Sequence, residues 1–277
     1  MLLNGIKLTD PQTGHHMMNI PVPLVNVDRV EVLKGPGSRI FGQNAYAGAI
    51  NVITALNDEQ YLRLQGYAGD FGMKGVNFAG SLPMGKYRQN LALSYDDSNG
   101  YQYNSANKVS NIFYEGGIDI NNNSAIRGML AYTDRTFSAN GFYSSSFPDQ
   151  WESIQTTLAS FTHTLNLSSF YLNTRTYYRH NTDEYRLRRN ETEFYQNNHT
   201  SEVFALEANG NLKSSLGTTG FGLKTRKKSL VSNNLGNRER NLSGIFLEHL
   251  VNLGSKVDLR AGVYSITIQD MAGSISL

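Results

Sequence analysis

Residues 87–95 read YRQNLALSY and predict a β-strand with two unlike faces. Side chains alternate between the two faces of a strand, so the odd positions form a face rich in Tyr and Leu, and the even positions form a face rich in polar and small residues. Residues 170–178 and 257–263 alternate in the same way, whereas residues 154–165 have no clean face. These stretches predict β-structure that is apolar on one side and polar on the other.

Segments of this kind recur from about Gln60 onward, with no helical period of apolar residues. Strands of about ten residues, joined alternately by short turns and long polar loops, are typical of a transmembrane β-barrel with its long loops outside the cell. The alternative is a soluble β-protein, such as a glycan-binding one with aromatic platforms, but it has no reason to keep its long loops at one end. We predict eleven strands centred near residues 65, 78, 91, 114, 130, 158, 174, 205, 222, 246 and 262, short turns at 83–86, 121–124, 166–168, 213–215 and 252–255, and long loops at 96–108, 136–152, 180–200 and 227–240.

The composition excludes several other classes of protein. Among the 277 residues, 25 basic and 23 acidic side chains nearly cancel, which argues against a nucleic-acid partner held by bulk charge. The absence of Cys excludes disulfide scaffolds and thiolate metal sites. There is no apolar run of about 18 residues and hence no candidate transmembrane helix. No signal peptide follows Met1, which leaves either a cytoplasmic protein or a piece of a longer chain.

An odd number of strands predicts an incomplete barrel. Backbone groups that face hydrocarbon must be paired, so a membrane sheet closes on itself, and single-chain bacterial barrels have even strand numbers. Two open edges would cost on the order of tens of kcal/mol, which exceeds the stability of a domain. We therefore expect further strands after Leu277, and we expect residues 265–277, where the alternation is lost, to be irregular.

A different pattern fills residues 25–54, which read VNVDRVEVLKGPGSRIFGQNAYAGAINVIT. Its two apolar runs predict short strands buried on both faces, and its glycines permit tight turns. The stretch resembles the second half of the plug domain of TonB-dependent outer-membrane receptors, and residues 3–6 resemble a strand of the same domain with Asn4 in place of the usual Asp. The apolar strand positions are Val30, Val32, Ile50, Val52 and Ile53. The plug-motif residues are Arg29, Glu31, Lys34, Gly35, Pro36, Arg39, Gly42, Gly48 and Asn51.

The resemblance implies an all-β chain in which residues 1–56 are the C-terminal half of a plug and residues 57–277 are the N-terminal half of a transmembrane antiparallel barrel, about 11 of an expected 22 strands. It also implies an outer-membrane receptor for energised uptake of a bulky, scarce ligand, with neither catalysis nor a cofactor. The implied partners are a TonB-type protein acting through a missing N-terminal segment, outer-membrane lipid, the small-molecule ligand and an accessory lipoprotein on the cell surface. A passive or adhesive outer-membrane barrel is the alternative of another class.

The broader pattern of residues 8–24, 140–152 and 176–190 resembles vitamin B12 receptors of the Bacteroidetes type, so cobalamin is the predicted ligand and a ferric siderophore or haem is the alternative. By position, residues 9–18 match a plug loop that touches ligand in this family. Aromatic residues in the loops suit a large, partly apolar ligand, although each Tyr fits a membrane-interface belt equally well. The predicted substrate-binding residues are Thr9, Gln12, His15, His16, Tyr101, Tyr103, Phe142, Tyr143 and Trp151.

Charged plug residues are expected to pair with charges on the lumen wall. Our hypothesis joins Arg29, Glu31, Lys34 and Arg39 to Glu115, Asp119 and Asp258. Other patterns are interpreted as turns or solvated loops: residues 35–42 lack the ending of a phosphate loop, His15 and His16 lack a third metal ligand, and the carboxylates of residues 183–193 lie among arginines. No metal, nucleotide or catalytic site is predicted.

Overall fold

The computed structural model describes residues 1–13, 19–35, 45, 47–56, 58–142, 144–253 and 257–272. Within these residues the chain forms two β-sheets, one of four strands and one of eleven. Their strands are Leu2–Leu3 (β1), Ile6–Lys7 (β2), Val27–Lys34 (β3), Gly48–Thr54 (β4), Tyr61–Ala68 (β5), Lys74–Ser81 (β6), Tyr87–Ser98 (β7), Asn107–Asn121 (β8), Ser124–Ser138 (β9), Trp151–Asn166 (β10), Phe170–Arg186 (β11), Gln196–Ser214 (β12), Gly217–Ser232 (β13), Arg238–Leu253 (β14) and Val257–Ala272 (β15).

The larger sheet confirms the predicted series of eleven strands. Its spatial order is the chain order, β5 to β15, and each strand pairs antiparallel with its neighbours. In such a meander, successive connections fall at opposite ends of the strands. The short turns therefore lie at one end of the sheet's strands and the longer loops at the other end, as the sequence predicts.

Two predictions about the ends of these strands are wrong. The strands reach further into the loops than the alternation indicates; β11 ends at Arg186 and β12 begins at Gln196, so their connection is residues 187–195 rather than 180–200. The stretch expected to be irregular after Ser265 instead continues β15 to Ala272, because it pairs in register with β14. Residues 273–277 lie outside the described part of the chain.

The eleven-stranded sheet has an apolar outer face. We call the four-stranded sheet with its connecting segments the plug, and the eleven-stranded sheet the wall. Side chains at alternate positions of the wall strands point away from the plug and are largely exposed. This set includes Leu91, Leu130, Phe161, Phe204, Leu223, Ile245, Leu247 and Val263. The inner face packs against the small sheet and forms the core, which joins wall residues such as Phe113 and Leu158 to Leu3, Ile6 and Val52. The outward apolar face and the filled lumen agree with the predicted barrel wall.

The small sheet has the order β2-β1-β4-β3, with β1 parallel to β4. We predicted that the apolar residues of β3 and β4 are buried on both faces of the sheet, and for most of them this prediction is wrong. Val30, Val32 and Ile50 are 55%, 61% and 41% exposed, whereas Val52 is buried, at 5%. For Val30 and Val32 the reason is topological, because β3 is the edge strand of the sheet and pairs only with β4. Ile50 and Val52 both belong to β4, but Val52 is the one that joins the core with Leu3 and Ile6.

No helix in the described ranges is both long and apolar enough to cross a membrane.

Replacing Phe113 tests the contact between wall and plug. Phe113 is fully buried where the two sheets meet, so Phe113→Ala in the full-length protein should lower the free energy of unfolding by about 3–5 kcal/mol. Urea unfolding in detergent micelles measures the change. Leu223→Ala on the outer face, which is 57% exposed, is the control and should cost much less. Equal losses would show that the plug does not pack on Phe113.

Candidate ligand-binding site

The plug segment that follows β2, residues 8–13, is fixed to the wall by a buried ion pair. Arg179 of β11 donates from Nη1 to Asp10 Oδ2 at 2.8 Å, and the two side chains are 3% and 0% exposed. Ser201 of β12 donates to the same oxygen at 3.1 Å. The other carboxylate oxygen, Oδ1, accepts the backbone N–H of Gln12 at 2.8 Å. One carboxylate thus holds its own turn and two strands of the wall together.

Both ends of the predicted ligand-contacting loop are attached to the wall. Gln12 donates from Nε2 to Asp183 Oδ2 at 2.9 Å, and Arg135 of β9 donates from Nη1 to Asn19 Oδ1 at 2.5 Å. The Gln12 Oε1 atom is buried without a hydrogen-bond partner. Thr9 is half-buried in the same segment. The predicted residues His15 and His16 lie outside the described residues.

A second attachment between plug and wall lies toward the end of the wall strands that carries the short turns. Thr54 donates from Oγ1 to Glu115 Oε2 at 2.5 Å, and Asn4 donates from Nδ2 to the Thr54 hydroxyl at 2.7 Å. Asn4 occupies the left-handed region at φ 49°, which Asn tolerates better than most residues. Asn90 of β7 donates from its amide to the carbonyl of Ala55, where the chain leaves the plug.

At the other end of the wall strands, hydrogen bonds centred on Gln150 join the long loops to one another. Gln150 is fully buried; it donates from Nε2 to Phe147 O at 2.8 Å and accepts the Tyr185 hydroxyl at 3.0 Å. Asn104 donates from Nδ2 to the carbonyls of Pro148 and Gln150 at 2.7 and 2.8 Å. The β7–β8 and β9–β10 loops therefore form one surface above the lumen.

The predicted aromatic residues lie at different places on that surface. Tyr101 and Phe142 are 72% and 63% exposed, and Tyr101 meets Phe71 edge to face at 6.5 Å. Tyr103 donates its hydroxyl to Asp149, and this hydrogen bond together with the carboxylate charge raises the pKa of Tyr103. Trp151 is on the outer side of β10, where the Arg186 guanidinium lies over its ring, 4.8 Å from the centroid.

Tyr143, Pro36, Arg39 and Gly42 lie outside the described residues.

Among the described residues, the plug-motif charges Arg29, Glu31 and Lys34 do not pair with the wall as we hypothesised. Arg29 pairs instead with Asp28 and Glu31, at 2.7 and 2.9 Å, because β3 lies at the exposed edge of its sheet. Of the proposed wall partners, Glu115 binds Thr54, Asp119 pairs with Arg88 at 2.5 Å, and Asp258 accepts from Asn252 at 2.8 Å. Lys34 is exposed at the end of β3.

The structure explains the residue type at three plug-motif positions. Gly48 has φ 152°, and a Cβ there would collide with the carbonyl oxygen of Leu33, so the start of β4 requires glycine. Asn51 accepts the backbone N–H of Gly5 at 2.9 Å through Oδ1 and donates to Glu31 at 3.1 Å. Gly35 also has a positive φ, 97°, directly after β3.

Sequence reasoning missed the residues that hold the plug loop, although one signal for them was present. Tyr177, Arg179, Asn181, Asp183 and Tyr185 occupy alternate positions of β11 and are all buried on its inner side. This run of polar side chains on one face marks the wall that meets the plug. Within the described ranges, no group of three or more His, Asp or Glu residues could hold a metal ion.

The Asp10–Arg179 pair offers a direct test of the loop attachment. Asp10→Asn leaves the buried guanidinium without a counter-charge and should cost about 3–5 kcal/mol of unfolding free energy, whereas Asp10→Leu with Arg179→Met removes both charges and should recover most of that loss. Glu191→Gln breaks the exposed Arg188–Glu191 pair and should cost less than about 1 kcal/mol. Urea unfolding of the full-length protein measures all three. If the double variant is no more stable than Asp10→Asn, charge burial is not the reason for the loss.

Comparison with known proteins gives one family match. The family model of the TonB-dependent receptor plug domain matches residues 1–49. The chain is 35% identical over 79 residues to the vitamin B12 transporter BtuB of Vibrio vulnificus (strain CMCP6), an alignment that spans 28% of this chain and 13% of that protein.

Solved structures are similar over nearly the whole chain. The ferric citrate transporter FecA in its unliganded form superposes with a TM-score of 0.78 at 14% identity, covering 97% of this chain and 47% of that one. The siderophore receptor PirA from Pseudomonas aeruginosa superposes with a TM-score of 0.76 at 15% identity, covering 96% and 47%. At such identities the likeness shows the fold, and the chain spans about half the length of those structures.

Proposed function

We propose that this chain, part of a TonB-dependent receptor by its plug sequence and its barrel fold, belongs to a protein that takes up a bulky, scarce ligand across the outer membrane. The observation that carries the proposal is the position of the plug sheet against the inner face of the wall. Its segment 8–13 lies below the β7–β8 and β9–β10 loops, which hydrogen bonds join to each other. A filled lumen does not allow passive flow, so passage requires the plug to move. The relatives are named as transporters and receptors, and we propose no catalytic step.

We assign residues 1–56 to the plug and residues 57–277 to the wall. By analogy with the family, the energy comes from a TonB-type protein that acts on a segment preceding the plug. Movement of the plug must break the polar contacts that the wall makes with it. Among the described residues these contacts include Arg179–Asp10, Ser201–Asp10, Asp183–Gln12, Arg135–Asn19, Glu115–Thr54 and Asn90–Ala55.

Cobalamin is the proposed ligand. The sequence likeness to a vitamin B12 transporter supports it, because that alignment reaches 35% identity, whereas the likeness to FecA and PirA carries the fold alone. A ferric siderophore or haem is the alternative. We propose that the ligand contacts Thr9, Gln12, the histidines at 15 and 16, Tyr101, Tyr103, Phe142 and Tyr143, since exposed aromatic rings and hydrogen-bonding groups suit a large, partly apolar ligand.

Equilibrium binding to the full-length receptor tests the ligand. Cyanocobalamin should bind saturably, and Tyr101→Ala and Tyr103→Ala should each weaken binding by about tenfold, since truncating an aromatic contact typically costs more than 1 kcal/mol. Phe204→Leu on the outer face is the matched control and should bind like wild type. Saturable binding of a ferric siderophore or haem, with none of cyanocobalamin, would replace cobalamin by the alternative.

A further inference from the structure

Five cationic side chains meet where the plug strand β2 approaches the wall strands β11 and β13. Lys224, Arg226 and Lys228 occupy alternate positions of β13 and so share its inner face. Lys7 of β2 lies close enough to these three side chains for their positive charges to act on its ammonium group. Arg175 of β11 reaches the same region from below the plug, since a Cβ on Gly5 would meet its Nη1 at 2.9 Å. We call Lys7, Arg175, Lys224, Arg226 and Lys228 the lumenal cation cluster.

Two carboxylates among the described residues attract this cluster, namely Glu207 and, through Lys228, Asp10. Glu207 of β12 pairs with Arg226 at 2.6 Å and lies opposite both Lys224 and Arg175 in the strand register. Asp10 is already engaged by Arg179 and Ser201. Glu248 lies on the inner face of β14, but it is opposite Gly220, toward the short turns. The cluster therefore carries a clear excess of positive charge.

Lys224 shows that this excess has no local acceptor. Its side chain is only 7% exposed, and its Nζ is buried with no hydrogen-bond partner. Among the described residues, this ammonium lies 5.0 Å from the centroid of the Tyr264 ring, and the Glu207 carboxylate opposite it in the strand register attracts it. Arg226 Nε is likewise buried without a partner. Two buried donors on the inner face of β13 thus lack a hydrogen-bond acceptor among the described residues.

Burial of several like charges is expensive. An ion taken from water into a protein loses several kcal/mol of solvation unless an opposite charge and hydrogen bonds compensate it. The pKa of Lys7 agrees with this excess of positive charge. Burial, and then the neighbouring charges of Arg226, Lys228 and Lys224, lower it to about 7. A multivalent oxyanion supplies what the region lacks, namely negative charge and several acceptor oxygens within reach of the two unpartnered donors.

We propose that the lumenal cation cluster is a binding site for an oxyanion, the phosphate or carboxylate group of a small molecule, located between β2 and β13. Lys228 is level with Arg179 in the strand register, whereas Lys224 and Arg175 lie four residues further toward the short turns. Most of the site is therefore distinct from the proposed first contacts of the ligand. In a receptor with the proposed function, it holds the anionic group of a ligand that moves past the plug. This last role rests on the proposed function; binding of the anion does not.

The test uses the full-length receptor in detergent and inorganic phosphate and citrate as probes in isothermal titration calorimetry. The wild type should bind both, and Lys224→Gln with Lys228→Gln should weaken binding by at least about tenfold, since a hydrogen bond to a charged group contributes about 1.5–3 kcal/mol. Lys213→Gln with Lys227→Gln removes the same charge from exposed positions and should leave binding unchanged. Lys228→Gln alone, at a half-buried position, provides a milder variant if the double variant does not fold.

Two outcomes would overturn the inference. Equal weakening by both double variants would mean that the anions bind to general surface charge. No binding by the wild type would show that the cluster is not an anion site, and a loss of thermal stability in the cluster variant would then indicate that a carboxylate of the receptor itself occupies it. Phosphate binding that depends on the cluster, in a receptor that takes up none of cobalamin, a ferric siderophore and haem, would preserve this inference and reject the proposed function.

Discussion

The backbone of an extended strand finds its hydrogen-bond partners in neighbouring strands, and most of this structure depends on that requirement. It places β5 to β15 side by side in chain order, with the register between neighbours continuous except for a shift in the β8–β9 ladder beyond Asp119. A register held so strictly also decides which way every side chain points. On β13 it sends Leu223 outward and Lys224 and Arg226 inward, so one strand contributes both to the apolar outside and to the charged lumen.

A few polar contacts hold the plug in that lumen, and the charged pairs of the plug differ in how far they are buried from solvent. The Asp10–Arg179 pair is almost completely buried, whereas the pairs that Arg29 makes within its own sheet are exposed. Buried pairs are costly to break one partner at a time, while exposed pairs contribute little. Attachment to the wall is therefore concentrated at Asp10 on one side of the plug and at Thr54 on the other. Between these two points the contact is mainly apolar packing around Leu3, Ile6 and Phe113.

The sequence predicts the wall well because its signal is local. Period-two alternation needs only neighbouring residues, and it locates all eleven strands of the described sheet. The plug resemblance is likewise confirmed by the family match over residues 1–49. Errors arise where the outcome depends on a partner distant in sequence: Val30 and Val32 are exposed because β3 is an edge strand, and residues 265–272 form a strand because β14 pairs with them. The link from Asp10 to Arg179 spans 169 residues, and no local pattern reveals it.

The parallel pairing of β1 with β4 has a mechanical consequence. Leu2 and Leu3 run alongside Asn51 and Val52, and the chain leaves β4 toward the wall just beyond, at Thr54. Traction on the amino end, opposed by the anchored barrel, therefore pulls the two strands along their length in opposite directions. Bonds across such a ladder are loaded together in shear instead of opening one after another. A force applied there drags β4 along with β1, and with it the Thr54–Glu115 contact, so the small sheet yields as a unit before it unzips.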